Sequence, residues 1–429
     1  MEGNGALRAF AIPNYRIYFT GELVSLVGGW MQAVGQSWLV LQLSNSGAAL
    51  GMTIALQNLP VLLFGVWAGV VVDKIDNRRL LLGCAIAGVA QALILGLMVS
   101  AGVATVGWVW VFSLWLGTIN AFQFPAMNAF LYELVPEDVL PSAIGLSSVT
   151  MSVGRLIGPA LAGLAIVATG IASCFYVNSA SFLVLIAALL LLRTAHLRPR
   201  RSSLHERVSF RDGMHYAWTR PVLRYTLLAV TVVGMLAFNF SVVVPAMVDF
   251  TFHSSASAFA WVQVIGGVGS LIGGFVVATI RRPRLRGLGV AGVVFGASML
   301  VSAFAPSLVG FTLLWFVVGL ASAMFMALGQ MVLQHGTEPR YQGRVMSFYS
   351  MAWMGTTPIG ALLVGVAIEE GSARLGVAIG AVATLVTGLL VLGWVLRRPS
   401  RDLVPIEPSS PAQPPPHQLP PQPASPEAL

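Results

Sequence analysis

Twelve long apolar runs divide this chain, and they constrain its fold more than any other feature. They lie at about Ile17–Leu43, Ala48–Val72, Leu80–Gly102, Val106–Leu131, Ala143–Val167, Ala172–Leu192, Tyr225–Val248, Ser257–Ile280, Gly287–Ala305, Leu308–Gln334, Val345–Ile368 and Leu375–Leu396. A helix needs ~20 apolar residues to cross hydrocarbon. A run in hydrocarbon must be helical, because there only a helix satisfies its own backbone. A membrane barrel would instead show ~10-residue alternating segments, and the chain has none. Only 9% of its residues are charged, against about 25% in a soluble domain. A soluble enzyme and a disordered chain are thereby excluded, and two cysteines, Cys84 and Cys174, exclude a disulfide scaffold. The first run is too long for a cleaved signal peptide, and no small-residue cleavage site follows it.

Charge in the connecting segments predicts an orientation. Arg8 and Arg16 precede the first run, Lys74, Arg78 and Arg79 follow the second, and eight arginines lie between the sixth and seventh. Arg281, Arg282, Arg284 and Arg286 follow the eighth, Arg340 and Arg344 the tenth, and Arg397, Arg398 and Arg401 the twelfth. That puts 22 of the 24 basic residues on one side. Basic loops stay cytoplasmic, so both termini and the central segment are expected in the cytoplasm. The net charge of +8 then reflects topology and anionic lipid, and no nucleic-acid partner is expected.

The predicted fold is an all-α polytopic membrane protein, with twelve transmembrane helices in two pseudo-symmetric six-helix bundles. Residues 1–192 form the first bundle, 193–224 a basic cytoplasmic linker, 225–398 the second bundle, and 399–429 a proline-rich tail expected to be disordered. The linker stretch HERVSFRDGMHYAW can lie as a short amphipathic helix on the membrane surface. An internal repeat supports the division. GPALAG at Gly158–Gly163 returns as PIGALLVG at Pro358–Gly365, and GVVVDK beginning at Gly69 returns as GFVVAT beginning at Gly274. The offsets, 199 for the prolines Pro159 and Pro358 and 205 for the glycines, are nearly equal. Duplicated halves mark secondary transporters, with the site at the interface between them.

The stretch GVVVDKIDNRR, Gly69–Arg79, resembles the loop signature of the major facilitator superfamily, G-x-x-x-D-[RK]-x-G-x-[RK]-[RK]. Gly69, Asp73, Lys74, Arg78 and Arg79 match it, whereas Asp76 stands at the usual second glycine. GPALAG is similar to a span-5 signature of exporters in that superfamily. Longer stretches resemble its enterobactin-exporter and macrolide-efflux-like branch: FQFPAMNAFLYELVPEDVLPSAIGLSSVTMSVGRLIGPALAG, FRDGMHYAWTRPVLR and GRVMSFYSMAWMGTTPIGALLVG. The resemblance runs from about residue 8 to 398, and Ala278 replaces the acid in the second copy of the loop signature. It implies a gate in which Asp73 faces the start of helix 11, near Arg344, when the cytoplasmic side is closed. The basic residues Lys74, Arg78 and Arg79 belong either to that gate or to ordinary positive-inside topology.

Two charges lie well inside the runs. Glu22 shares one helical face with Ser25, Gly29, Gln32 and Gln36, a face expected to line an aqueous cavity. At about six residues from the start of its span it sits ~9 Å deep. It is a candidate proton carrier, or else a structural carboxylate paired with an arginine. Arg155 lies ~18 Å deep in span 5, on a face with Ser148, Ser152 and Pro159. It can clamp an anionic oxygen bidentately, or pair with Glu22, or bond helix carbonyls. The amides Gln57, Asn58, Asn120, Gln123, Asn239, Gln263 and Gln330 are further cavity candidates, with helix glue as the alternative for each. Trp30, Phe122, Phe124, Phe238, Trp261, Met324, Phe325 and Met326 can supply an apolar wall. Gly158, Pro159, Gly163 and Pro358, with the glycines of GGVGSLIGG in span 8, are expected as sliding contacts and hinges, or as plain close packing.

No HExxH, CxxC or Ser/His/Asp order appears, and no GxxxxGK[ST] for ATP hydrolysis. An enzyme is not expected, nor any cofactor or metal. The expected function is a secondary active exporter of small organic molecules, drug-, macrolide- or siderophore-like, running by alternating access and proton antiport in the bacterial cytoplasmic membrane. Its expected partners are the substrate, protons and the bilayer, and it is expected to be a monomer. An importer, or a non-transporting receptor or assembly factor on the same fold, remains open.

Overall fold

The computed structural model describes residues 5–194, 197, 209–280 and 283–397, and among them every regular element is helical. After a 3-10 turn at Gly5–Ala11 come α1 (Pro13–Ser44), α2 (Gly47–Lys74), α3 (Asn77–Ser100), α4 (Val106–Leu134), α5 (Leu140–Thr169) and α6 (Ala172–Leu191). The short α7 (Phe210–Thr219) precedes α8 (Pro221–Leu236), α9 (Phe240–Ala246), α10 (Ala256–Ala278), α11 (Leu285–Ala303) and α12 (Leu308–Gly336). Last come α13 (Pro339–Ser350), α14 (Thr357–Glu370) and α15 (Ala373–Leu396). The tail 399–429, most of the linker, Arg281 and Arg282 lie outside the described residues, as does the side chain of Asp73.

Ten helical segments among the described residues are long and apolar enough to cross a membrane. Helices α1 and α4, at 32 and 29 residues, are long enough but are not among the ten. α1 carries Glu22, Gln32 and Gln36, and α4 carries Asn120, Gln123, Asn128 and several tryptophans, residues that lower mean hydropathy. Hydroxyl caps start several helices: the side chains of Ser46, Thr105, Ser307 and Ser372 accept the N–H three residues on, from Ala49, Trp108, Gly310 and Leu375.

Two expected spans are not continuous. Span 7 is split into α8 and α9 at Ala237–Asn239 and runs on into a π-helical stretch, Met247–Thr251. Span 11 is split into α13 and α14 by a π-helical stretch, Met351–Gly355. Pro245 and Pro358 follow the two breaks, and each lacks the N–H that would bond the carbonyl four residues back. Asn239 spans the first break by donating from Nδ2 to the Met235 carbonyl at 2.7 Å.

The described part of the linker forms a short helix, as expected, and α7 docks on α13. Tyr216 stacks on Tyr341 with ring centroids 4.0 Å apart, and Phe210 meets Phe348 edge-on. The Tyr216 hydroxyl accepts the Glu338 N–H, and Arg220 pairs with Glu338 at 2.6 Å. Burial holds the Tyr216 phenol above its usual range, so it stays protonated.

Packing follows the duplicated pattern: α1 lies on α5 and α6, α2 on α4, α3 on α6, while α10 lies on α12 and α11 on α15. The first six helices meet the later ones through α2 with α14 and α5 with α10. At one end of the bundle this seam is shut. A Cβ on Gly47 would meet Ile368, and one on Gly51 would meet the Ala361 carbonyl and, at 3.0 Å, the Gly365 Cα. A Cβ on Gly163 would come within 2.5 Å of the Ala260 Cβ, and Trp38 stacks on Phe259 nearby. At the other end, Gly69, Gly145, Gly274 and Gly343 have nothing within 4 Å of a Cβ.

Candidate functional site

A cavity of about 280 Å³ lies midway along the seam. From the first six helices it takes Trp30, Asn58, Arg155 and Pro159. From the later ones it takes Gln263 and glycines of α10, Trp315 of α12, and residues at both helix breaks: Phe238, Phe240 and Ser241 at the first, Trp353 and Thr357 at the second. The breaks thus do what broken helices do in transporters, placing irregular backbone against a cavity.

Arg155 is the single charge in this lining. Its guanidinium carbon lies 6.0 Å from the Trp30 ring centroid, at the outer edge of a cation–π contact. Pro159, four residues on, leaves the Arg155 carbonyl without its helical partner, and a Cβ on Gly267 of α10 would sit 3.7 Å from that carbonyl. Gly158 seats α5 on α1, since any Cβ there would meet the Trp30 Cβ and, at 3.0 Å, the Val27 carbonyl. The rings are packed together: Phe238 lies 4.4 Å from Trp353, and Phe240 meets Trp315 edge-on at 5.3 Å.

Of the residues expected in the cavity, Asn58, Arg155 and Gln263 line it. Gln32 and Gln36 do not. Gln32 donates to Gln91 at 3.1 Å and accepts from Asn178 at 2.6 Å, and Gln36 donates to Ser113 at 2.7 Å. Gln32 and Gln36 are therefore turned into the packing with α3, α4 and α6, where among the described residues only Gln36 Oε1 of these two amides lacks a partner. Gln57, Asn120 and Gln123 lie on α2 and α4 outside the lining, and Gln123 Oε1 is buried without a partner among the described residues. Asn239 is buried beside the cavity rather than on it, and Gln330 is exposed on α12. In the apolar wall, Trp30 and Phe238 are in place, whereas Trp261 is exposed and Phe325 is buried within the later helices.

Glu22 is buried near Tyr15 and Tyr18, and among the described residues it has neither a hydrogen-bond donor nor a basic partner. It does not pair with Arg155 and does not reach the cavity. Arg78 donates from Nε and Nη2 to the carbonyls of Leu189 and Leu190, capping the C-terminus of α6. Lys74 and Arg79 are exposed. Gly69, the first residue of the loop signature, faces open space. Arg344 backs onto α7, where a Cβ on Gly213 would lie 2.9 Å from the Arg344 Cβ. Gly163 is in the shut seam, and Pro358 is buried at the start of α14. The span-8 glycines Gly266, Gly269 and Gly273 hold α10 against α12 within the later helices, so they are packing contacts and not a sliding surface between halves. No cluster of metal-ligating side chains occurs among the described residues.

The profile of the family described as "Transmembrane secretion effector" matches residues 4–422. The staphyloferrin A transporter of Staphylococcus aureus is 21% identical over 371 residues, covering 82% of this chain and 89% of its own. The multidrug efflux pump Tap of Mycolicibacterium fortuitum is 28% identical over 366 residues, covering 80% and 86%. Among solved structures, a bacterial homologue of the human lysosomal transporter Spinster, inward-facing and unoccupied, superposes with a TM-score of 0.70 at 15% identity, covering 89% of this chain and 96% of its own.

Proposed function

From the premise that the chain belongs to the transmembrane secretion effector family of major facilitator transporters, and is not an enzyme, we propose that it exports small organic molecules by alternating access. The observation that carries this reading is the cavity, built from both sets of helices at a seam shut at one end, and the reading takes the other end, where Gly69, Gly145, Gly274 and Gly343 are unpacked, as open. Twelve spans in two six-helix halves account for it, with the split spans 7 and 11 each counted once and α1 and α4 included. The open end carries Lys74 and Arg344, so under the positive-inside rule it is the cytoplasmic end. The conformation then receives its substrate from the cytoplasm, as an exporter must before turning outward. Both termini lie in the cytoplasm, the membrane is the bacterial cytoplasmic one, and the unit is a monomer.

The relative that is a multidrug efflux pump supports the direction of transport. Uphill export without an ATP site draws on an ion gradient, and Glu22 is the proton carrier in this reading, since a buried carboxylate lacking a fixed partner is free to exchange a proton. The test is accumulation of dyes, macrolides and siderophores in a host stripped of its own pumps, with and without a proton uncoupler. Lower accumulation that an uncoupler abolishes is the expected result. Equal accumulation across the panel with and without the protein refutes export.

A further inference from the structure

We propose that the ligand this cavity takes is a flat, ring-bearing organic anion, whose two-oxygen head is held by Arg155. The proposal rests on the transport reading only in taking the cavity as the substrate site. Arg155 is the one charge in the lining, and no carboxylate or carbonyl of the described residues accepts from its guanidinium. A cation at mid-depth in the membrane with no counter-charge in its cavity favours a bound anion, which supplies one. The planar fork of donors matches a carboxylate or catecholate bidentately, which an ammonium on a lysine would not do.

The rest of the lining sets the shape. Trp30 and Trp353, with Phe238 and Phe240, offer ring faces and edges on both sides of the seam, and the buried Trp315 backs Phe240. Gln263 and Ser241 make no hydrogen bond within the described residues and are free to meet further ligand oxygens. The volume of about 280 Å³ sits at the lower bound of ligand pockets, roughly 300 Å³, and suits one or two fused rings rather than a macrocycle. A basic drug would set its ammonium beside Arg155 with no acid in the lining to offset it, so the site discriminates by charge.

The test is calorimetric binding to the full chain in lipid nanodiscs, with 2-naphthoate, 2-naphthamide and 2-naphthylmethylammonium as probes. Naphthoate is expected to bind at least about tenfold tighter than the neutral amide, as a charge-assisted bidentate pair allows, and the ammonium weakest. Arg155→Gln should lower naphthoate affinity to that of the amide while leaving amide binding in place, and Arg155→Lys should keep part of the preference for the anion. Unchanged naphthoate binding in Arg155→Gln, an ammonium that binds as tightly as naphthoate, or no binding by any probe overturns the proposal. Should Arg155→Gln fail to fold, the wild-type ranking decides alone. Binding that follows this ranking without export in cells would sink the transport reading and leave this one standing. Export with no such ranking would do the reverse.

Discussion

Replacing Gly51 by alanine should unseat the shut end of the seam. The added Cβ would face the Ala361 carbonyl oxygen, with the Ala361 carbonyl carbon 3.2 Å and the Gly365 Cα 3.0 Å away. All three are backbone atoms, so no side chain can swing aside. Comfortable contact between carbons is ~3.5–4.0 Å, so α2 and α14 must part by about 0.5–1 Å. Overpacking of this kind costs about 1–3 kcal/mol, and the cost falls only on the state in which these helices touch. The equilibrium should therefore move toward the outward-open state by about 5- to 150-fold. The assay is labelling of a cysteine at Ser241, a cavity residue, by an impermeant maleimide outside intact cells, with the buried Cys84 and Cys174 replaced. Wild type should label slowly and Gly51→Ala faster. Gly29→Ala serves as control, because a Cβ there meets nothing within 4 Å. Equal rates in Gly51→Ala and Gly29→Ala would refute the assignment of this seam as the closed gate.

Three further outcomes follow from other contacts. Gln32→Ala removes the partner of both Gln91 and Asn178 and should destabilise the protein by about 1–2 kcal/mol, read as a lower melting temperature in detergent with the probe ranking at the cavity unchanged. Arg78→Ala uncaps α6 and should lower thermal stability by about 1 kcal/mol or less, while external labelling at Ser241 stays as in wild type; altered labelling would return Arg78 to the gate. Glu22→Gln keeps the size of the side chain but cannot carry a proton, so uncoupler-sensitive export should be lost while the melting temperature holds. Full export by that variant would remove Glu22 from the coupling.

The long helices were legible because hydrocarbon permits little else, and the apolar runs coincide with most of them. The two breaks were not, although Pro245 and Pro358 were in plain view: a proline within a span is as compatible with a mild kink as with a full interruption. The face of α1 shows a different limit. Polar groups spaced along one side of a helix look the same whether they meet water or each other. The partners that decide the matter, Gln91, Ser113 and Asn178, lie 59 to 146 residues away in the chain. Arg155 was readable as a cavity candidate because a charge at mid-depth usually faces a cavity, and it does line one. Trp315 and Trp353 were hidden among 11 tryptophans, and only the fold selects them.

The docking of α7 on α13 couples those two helices physically. With Tyr216 stacked on Tyr341 and Arg220 fastened to Glu338, a displacement of α7 is handed on to α13 as to the arm of a crank. That arm ends at the π-helical pivot carrying Trp353, which forms part of the cavity wall. A displacement of α7 would therefore reach the cavity wall at Trp353 after crossing a single helix.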